Sequence, residues 1–342
     1  MNEPRFILSR KIVLQKYNEI KELGVEVSFS YKTNNEVGEV LKKETDCSFS
    51  AHTINNVGRL NCNNRVWFFA QGWDKEQVKL LLNKDLKGIV VDNINDLNVL
   101  LSELKESKKK INLLLRMKLK ENTIHTGRHF VYGFPSKEVK ELIPKLRENK
   151  FIEKLGIHFH RKTQNISEWN YLQELQMTFS EDFFDQIDII NIGGGLPALY
   201  KNVTDQAING IKEKIKELVK YCSKKKIVVI SEPGRFISAP SVKLETEIIN
   251  IYDKNIILNC SIFQGALDSF IVPIKLIVEG ELDEGDSFVL KGFSPDSSDI
   301  FRYKVFLKNP KIGDKIVFLN AGAYNYSTNF LGMNKISTCF VD

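Results

Sequence analysis

Ile227-Val228-Val229-Ile230-Ser231-Glu232-Pro233-Gly234-Arg235 is the stretch that decides the fold. Its first five residues form a short β-rich run without polar alternation, the pattern of a strand buried on both faces of a parallel sheet. Pro233-Gly234 then breaks the run, and the chain changes character beyond it. Upstream, comparable runs recur at Val25–Tyr31, Cys47–Ala51, Val66–Ala70, Gly88–Asp92, Ile111–Met117, Leu155–His160 and Ile187–Ile192, each followed by a stretch of helical period. With Ile227–Ser231 they make eight βα units, which predict an α/β fold, a (β/α)8 TIM barrel over residues 10–238. Downstream, strand-like runs are separated by turn signals at Asp253-Lys254-Asn255, Asp283-Glu284-Gly285-Asp286, Asn309-Pro310 and Ile312-Gly313-Asp314. They predict an all-β C-terminal barrel or sandwich over residues 239–342, to which a strand from residues 1–9 is expected to add.

Composition excludes several classes. The chain has 342 residues, 42% hydrophobic and 27% charged, ordinary for a globular protein with a sizeable core. The net charge of +6 is scattered, with short lysine clusters at Lys108–Lys110 and Lys224–Lys226 and no motif that would dock nucleic acid. The five cysteines include no CxxC pair and read as free thiols of a reducing compartment. No apolar leader precedes residue 10 and no apolar run is long enough to span a membrane, so a cytoplasmic protein without a membrane partner is expected.

In a TIM barrel, chemistry sits where strands end and βα loops begin. The first run ends in Tyr31-Lys32-Thr33-Asn34. A lysine desolvated in a barrel mouth has a lowered pKa and suits Schiff-base chemistry, although alone such a lysine more often emerges into solvent. The sixth run ends in His158-Phe159-His160, with both histidines on one face. They could be metal ligands, an aromatic platform for a planar cofactor, or packed side chains. No third ligand stands at a useful spacing, so no metal is expected. The seventh ends in Gly193-Gly194-Gly195, whose backbone N–H groups can approach a phosphate closely. The eighth supplies Glu232, a carboxylate able to pair with a protonated pyridine nitrogen, and Arg235, able to clamp a phosphate with two hydrogen bonds.

Over nearly its whole length the sequence resembles the fold-type III pyridoxal-phosphate decarboxylases, which share the alanine racemase-like barrel and act on ornithine, arginine, lysine, diaminopimelate and carboxynorspermidine. The family's Y-x-x-K-x-N motif stands as Phe29-Ser30-Tyr31-Lys32-Thr33-Asn34, and its H-x-G-S motif as His160-Arg161-Lys162-Thr163. Its glycine triplet stands at 193–195, its E-P-G-R motif at 232–235 and its G-A-Y motif at Gly322-Ala323-Tyr324. The resemblance implies pyridoxal 5'-phosphate bound by Lys32 as a Schiff base, His160 stacked on the ring, and Glu232 holding the ring nitrogen protonated. It implies a phosphate held by Thr163, Gly193, Gly194, Gly195, Gly234, Arg235 and Tyr324. It further implies a homodimer, in which the family motif G-P-x-C-[DE]-x-x-D reaches the partner's active site.

That last motif reads Gly292-Phe293-Ser294-Pro295-Asp296-Ser297-Ser298-Asp299. Asp296 and Asp299 match the residues that meet the substrate, with Asp296 also counted as catalytic, but Pro295 replaces the proton-donating cysteine and has no proton to give. Lys32, Ser294 or a water is expected in its place. Lys162 replaces the glycine of H-x-G-S, and Phe330-Leu331-Gly332 stands for F-N-G. The segment Leu267–Lys275 lacks the arginine before proline of diaminopimelate enzymes and the tyrosine-aspartate of ornithine enzymes, leaving Lys275 as a possible contact for a distal carboxylate or a surface lysine of an edge strand. The expectation is a decarboxylase of a basic, diamino or diamino-dicarboxylic amino acid. The alternatives are a racemase or lyase of the same fold, against which Glu232 speaks, and a non-catalytic decarboxylase-like regulator.

Overall fold

The structure is a computed structural model and describes residues 3–118, 132–166, 168–201, 203–272 and 274–342. Eight parallel strands close into a barrel: Glu26–Ser30, Ser48–Ala51, Val66–Phe69, Gly88–Val91, Ile111–Arg116, Ile152–His158, Ile189–Asn191 and Val228–Ser231. All eight coincide with the apolar runs of the sequence. The ring shuts where Glu26 pairs with Ile230 and Val27 with Ser231. The sixth strand starts earlier than expected and stops at His158, so His160 already belongs to the loop.

Each strand is buried on both faces because helices cover the outside while large side chains fill the inside. Trp67, Phe69, Val90, Leu114, Ile189 and Ile230 form a separate cluster inside the barrel. Trp67 is 1% exposed, and truncating such a side chain typically costs about 3–5 kcal/mol.

Helix caps set where the strand ends hand over to loops. Asn93 and Thr53 each accept a hydrogen bond from a first-turn N–H of the helix they precede, Ile94–Ser107 and Ile54–Leu60 respectively. The chain leaves the barrel through the short helix Arg235–Ser241, which runs directly into the strand Val242–Tyr252 of a second sheet. That sheet is mostly antiparallel and has eight strands. It includes Arg5–Ser9, which pairs antiparallel with Val242–Glu245 and parallel with Ser337–Val341. The chain therefore departs from the barrel just after Glu232 and Arg235, which fixes these two residues between barrel and sheet. Among the described residues, no helix is long and apolar enough to cross a membrane.

Candidate active site

At the C-terminal ends of the barrel strands lies a cavity of about 390 Å³. The first strand runs into a tight turn, Tyr31–Thr33, that sets Lys32 in the cavity wall. Asn34 then caps the next helix, accepting from the N–H groups of Glu36 and Val37 at 3.0 Å each. Its Nδ2 donates to the Gly322 carbonyl at 2.9 Å. The asparagine of the lysine motif thus ties the lysine turn to the segment carrying Tyr324. Lys32 opens onto the cavity, yet the protein around it desolvates the ammonium and pushes its pKa down; Glu232 opposes the shift and Arg116 adds to it.

Glu232 is buried. Burial alone would raise its pKa, but His158 and His52, with a hydrogen bond from Ser50, outweigh it and hold the carboxyl below the usual carboxylate range. Asn191 Nδ2 donates to Oε1 at 2.9 Å. His158 Nε2 stands 3.4 Å from Oε2, within ion-pair distance but not aligned as a hydrogen bond. Burial pushes the pKa of His158 down and takes His52 and His160 to about 3. The histidines are therefore neutral at pH 7 and Glu232 is anionic. His160 Nδ1 accepts from the Gly194 N–H at 3.1 Å, which places its ring proton on Nε2.

The glycine triplet is needed for its lack of Cβ. A Cβ at Gly194 would sit 2.8 Å from the Glu232 carbonyl oxygen, and one at Gly195, where φ is +97°, would sit 2.8 Å from the Lys162 carbonyl oxygen. Among the described residues the Gly195 and Gly234 N–H groups have no protein partner. They remain donors for an anion.

Arg235 is placed differently from the two-bond phosphate clamp. Its Nη1 and Nη2 grip Asp268, at 2.5 and 3.1 Å. Nη1 also donates to the Tyr200 hydroxyl at 3.0 Å, and Nε to Thr163 Oγ1 at 3.3 Å. Tyr324 lies with its ring 5.4 Å from the guanidinium and holds a left-handed φ of +54°.

Some contributors were not singled out in the sequence. Arg116, at the end of the fifth strand, is 4% exposed. Its guanidinium stacks 3.8 Å from the Tyr132 ring centre and 5.0 Å from that of Phe69. His52 arrives from the second strand's loop. A charged residue inside an otherwise apolar run was the available signal for Arg116.

Other expected residues lie elsewhere. Lys275 is exposed in the segment before the strand Ile277–Val278 and does not line the cavity; the segment is not an edge strand but includes the short helix Leu267–Ile271, and its Pro273 lies outside the described residues. Asp296 is exposed, with Oδ1 accepting from the Ser298 N–H at 2.8 Å. Asp299, expected to meet the substrate, has both carboxylate oxygens taken by donors of this chain. It is 1% exposed, its Oδ1 accepts from the Ile262 N–H at 2.7 Å, and its Oδ2 accepts from Ser294 N at 3.2 Å and Oγ at 2.6 Å. It anchors its own loop. Among the described residues no group of His, Cys, Asp and Glu could hold a metal ion.

Residues 12–239, the barrel and all of its strand ends, match the family described as pyridoxal-dependent decarboxylase, pyridoxal binding domain. The chain belongs to this family. A curated relative is 2-[(L-alanin-3-ylcarbamoyl)methyl]-2-hydroxybutanedioate decarboxylase of Staphylococcus aureus, 25% identical over 77% of this chain and 73% of its own. Another is diaminopimelate decarboxylase of Bacillus methanolicus, 22% identical over 81% and 71%. Among solved structures, diaminopimelate decarboxylase of Helicobacter pylori with L-lysine superposes with a TM-score of 0.85 at 17% identity, over 100% of this chain and 92% of the other. Lysine/ornithine decarboxylase of Vibrio vulnificus with cadaverine gives 0.82 at 19%, over 99% and 94%. The pyridoxal-dependent decarboxylases thus share this chain's barrel and second sheet, and the chain is a pyridoxal-phosphate enzyme of the amino-acid decarboxylase class.

The pocket suits that cofactor on its own geometry. A neutral His160 presents a ring face, an anionic Glu232 can meet a protonated ring nitrogen, and a turn too tight for any Cβ leaves the Gly195 and Gly234 N–H groups without a partner among the described residues.

Proposed function

We propose that this chain removes the α-carboxylate of an amino acid whose side chain ends in further carboxylates, with Lys32 carrying the cofactor as a Schiff base. The observation that carries the substrate class is the charge of the cavity wall. Arg116 and Lys162 both line it, and among the described residues neither has a carboxylate within ion-pair distance. The nearby acids are committed, Glu232 to its histidine and asparagine partners, Asp268 to Arg235, and Asp92, whose charge acts on Arg116, to the amides of Gln71 and Asn93. Within one copy of the chain a cationic ornithine or lysine tail would find no free carboxylate there, and the Asp296 that a second copy would bring is left to meet the substrate's amino groups. A carboxylate tail would find two cations, one of them buried, where an unpaired charge is costly.

The relatives' substrates fit this reading. A hydroxybutanedioate and a diaminopimelate each carry carboxylates beyond the one that is lost. Lys162 stands where the family has glycine, so it is a feature of this chain's own specificity.

When bound, the cofactor supplies a sink for the electron pair left on the α carbon as CO2 departs. The protein's part is to hold charge and protons. Glu232, kept anionic, keeps a ring proton in place, and neutral His160 offers a face that costs no charge burial. Proton return is assigned to Lys32. With Pro295 there is no cysteine, and the Ser294 hydroxyl already donates to Asp299 at 2.6 Å. Lys32 Nζ lines the cavity and has a pKa lowered first by desolvation, which makes its proton easier to give up at that atom. We place the enzyme in the cytoplasm as a homodimer, with the exposed Asp296 loop turned to the partner's cavity.

The test is CO2 release from a panel: diaminopimelate, glutamate and a citrate-linked 2,3-diaminopropionate against ornithine, lysine and arginine. Release confined to the carboxylate-tailed members supports the reading. Release from the cationic members alone overturns the substrate class.

A further inference from the structure

Asp268 is already paired and so cannot meet a substrate amine, and its fork makes the tightest claim on Arg235. It sits on the short helix Leu267–Ile271 and is 3% exposed. Its two oxygens take Nη1 and Nη2 of Arg235 in a fork, and its own N–H donates to Asn325 Oδ1 at 3.0 Å. Asn325 follows Tyr324, so the acid is fixed from the same segment whose ring covers Arg235.

Of the five N–H groups of a guanidinium, four are therefore engaged inside the protein: two on Asp268, one on Tyr200 and one on Thr163. The last of these sets a direction. A threonine hydroxyl that accepts from Nε must aim its own hydrogen elsewhere. Thr163 lines the cavity beside Gly195 and Gly234, whose N–H groups have no protein partner. The hydroxyl hydrogen is thus the outward end of a chain running Asp268, Arg235, Thr163.

We propose that Asp268 is a positioning residue for the cofactor's phosphate group, holding Arg235 so that Thr163 donates to the phosphate instead of Arg235 gripping it with both Nη atoms. The pair Arg235–Asp268 is neutral as a unit. The phosphate charge is then met by oriented N–H and O–H dipoles, not by a full bidentate arginine. Such pre-oriented donors lose little freedom on binding. The proposal rests on the cofactor site described above.

The arrangement separates two effects that point in opposite directions. If Asp268 acted only through its charge, removing it would raise the local positive potential and tighten phosphate binding. If it positions, removing it frees the guanidinium and loosens phosphate binding.

The experiment compares pyridoxal phosphate with pyridoxal, which lacks the phosphate, as probes of the full-length chain stripped of cofactor. Dissociation constants are read from the absorbance change on binding. For Asp268→Asn the expected result is a loss of tenfold or more for pyridoxal phosphate and less than twofold for pyridoxal. Thr163→Val is expected to show the same phosphate-selective loss, and the double variant no more loss than the larger single one. The 31P resonance of the bound cofactor is expected to shift in both variants. Unchanged or tighter binding of pyridoxal phosphate by Asp268→Asn overturns the proposal, as does an equal loss for both probes, which would make Asp268 a general support of the fold. If Asp268→Asn does not fold, Thr163→Val decides alone: wild-type affinity for pyridoxal phosphate overturns the proposal. Failure of wild-type protein to bind pyridoxal phosphate at all would instead strike at the cofactor site itself.

Discussion

His158 Nε2 stands 3.4 Å from Glu232 Oε2, and both side chains are buried. A neutral histidine beside an ionised carboxylate leaves Glu232 negative at the cavity, where it would meet a protonated ring nitrogen under the proposed function. Glu232→Gln is isosteric but cannot be negative. Pyridoxal phosphate is expected to remain bound while kcat falls by roughly a hundredfold, about 2.7 kcal/mol of barrier. A kcat within threefold of wild type would show that the ring proton is held by something else.

Arg116 is one of the charges that lower the Lys32 pKa. Removing a positive neighbour makes protonation easier, so in Arg116→Gln the Lys32 pKa rises. The acid limb of the rate at which the stripped protein takes up pyridoxal phosphate should move to higher pH. Stopped-flow absorbance across pH 6 to 9 checks this, and KM for a carboxylate-tailed substrate should rise about tenfold with kcat less affected.

The buried histidines make a stability prediction. His52 and His160 titrate at about 3 in the folded protein, whereas an unfolded histidine titrates near ~6.5. Below that value the unfolded state binds more protons, so stability falls as pH falls, through the window down to the folded pKa. Between pH 7.5 and 5.5 the two together should cost on the order of 3 kcal/mol. Urea midpoints of the cofactor-free chain should drop accordingly, and less in His52→Phe.

Gly195 combines a φ of +97° with the close approach of the Lys162 carbonyl. Gly195→Ala must shift that loop and the unpaired N–H with it. Affinity for pyridoxal phosphate should weaken by tenfold or more, with a small change in Tm. Isothermal titration of the stripped protein gives the first value and calorimetry the second.

The barrel was legible because its strands are buried on both faces and so read as unbroken apolar runs. Lys32, His160, the glycine triplet and Glu232 were legible because each stands at the end of such a run. Arg116 also stands at a strand end, but inside Ile111–Met117 it looked like the close of a buried strand, and nothing local revealed the Tyr132 and Phe69 rings that hold it. Asp268 was out of reach for a different reason. Its partner lies 33 residues away, on the far side of a strand and a turn, and a carboxylate in a short irregular helix carries no periodic signature. Asp299 matched a motif, yet the backbone and hydroxyl donors that occupy its carboxylate come from the loop's folding.

On the proposed function, Lys32 carries pyridoxal phosphate in this cavity. Borohydride reduction of the cofactor-loaded chain, followed by proteolysis and mass spectrometry, tests it most directly. A single reduced pyridoxyl-phosphate adduct is expected, on the peptide containing Lys32, with its loss in Lys32→Ala together with the visible absorbance. An adduct on any other lysine, or full loading of Lys32→Ala at that other position, would contradict it.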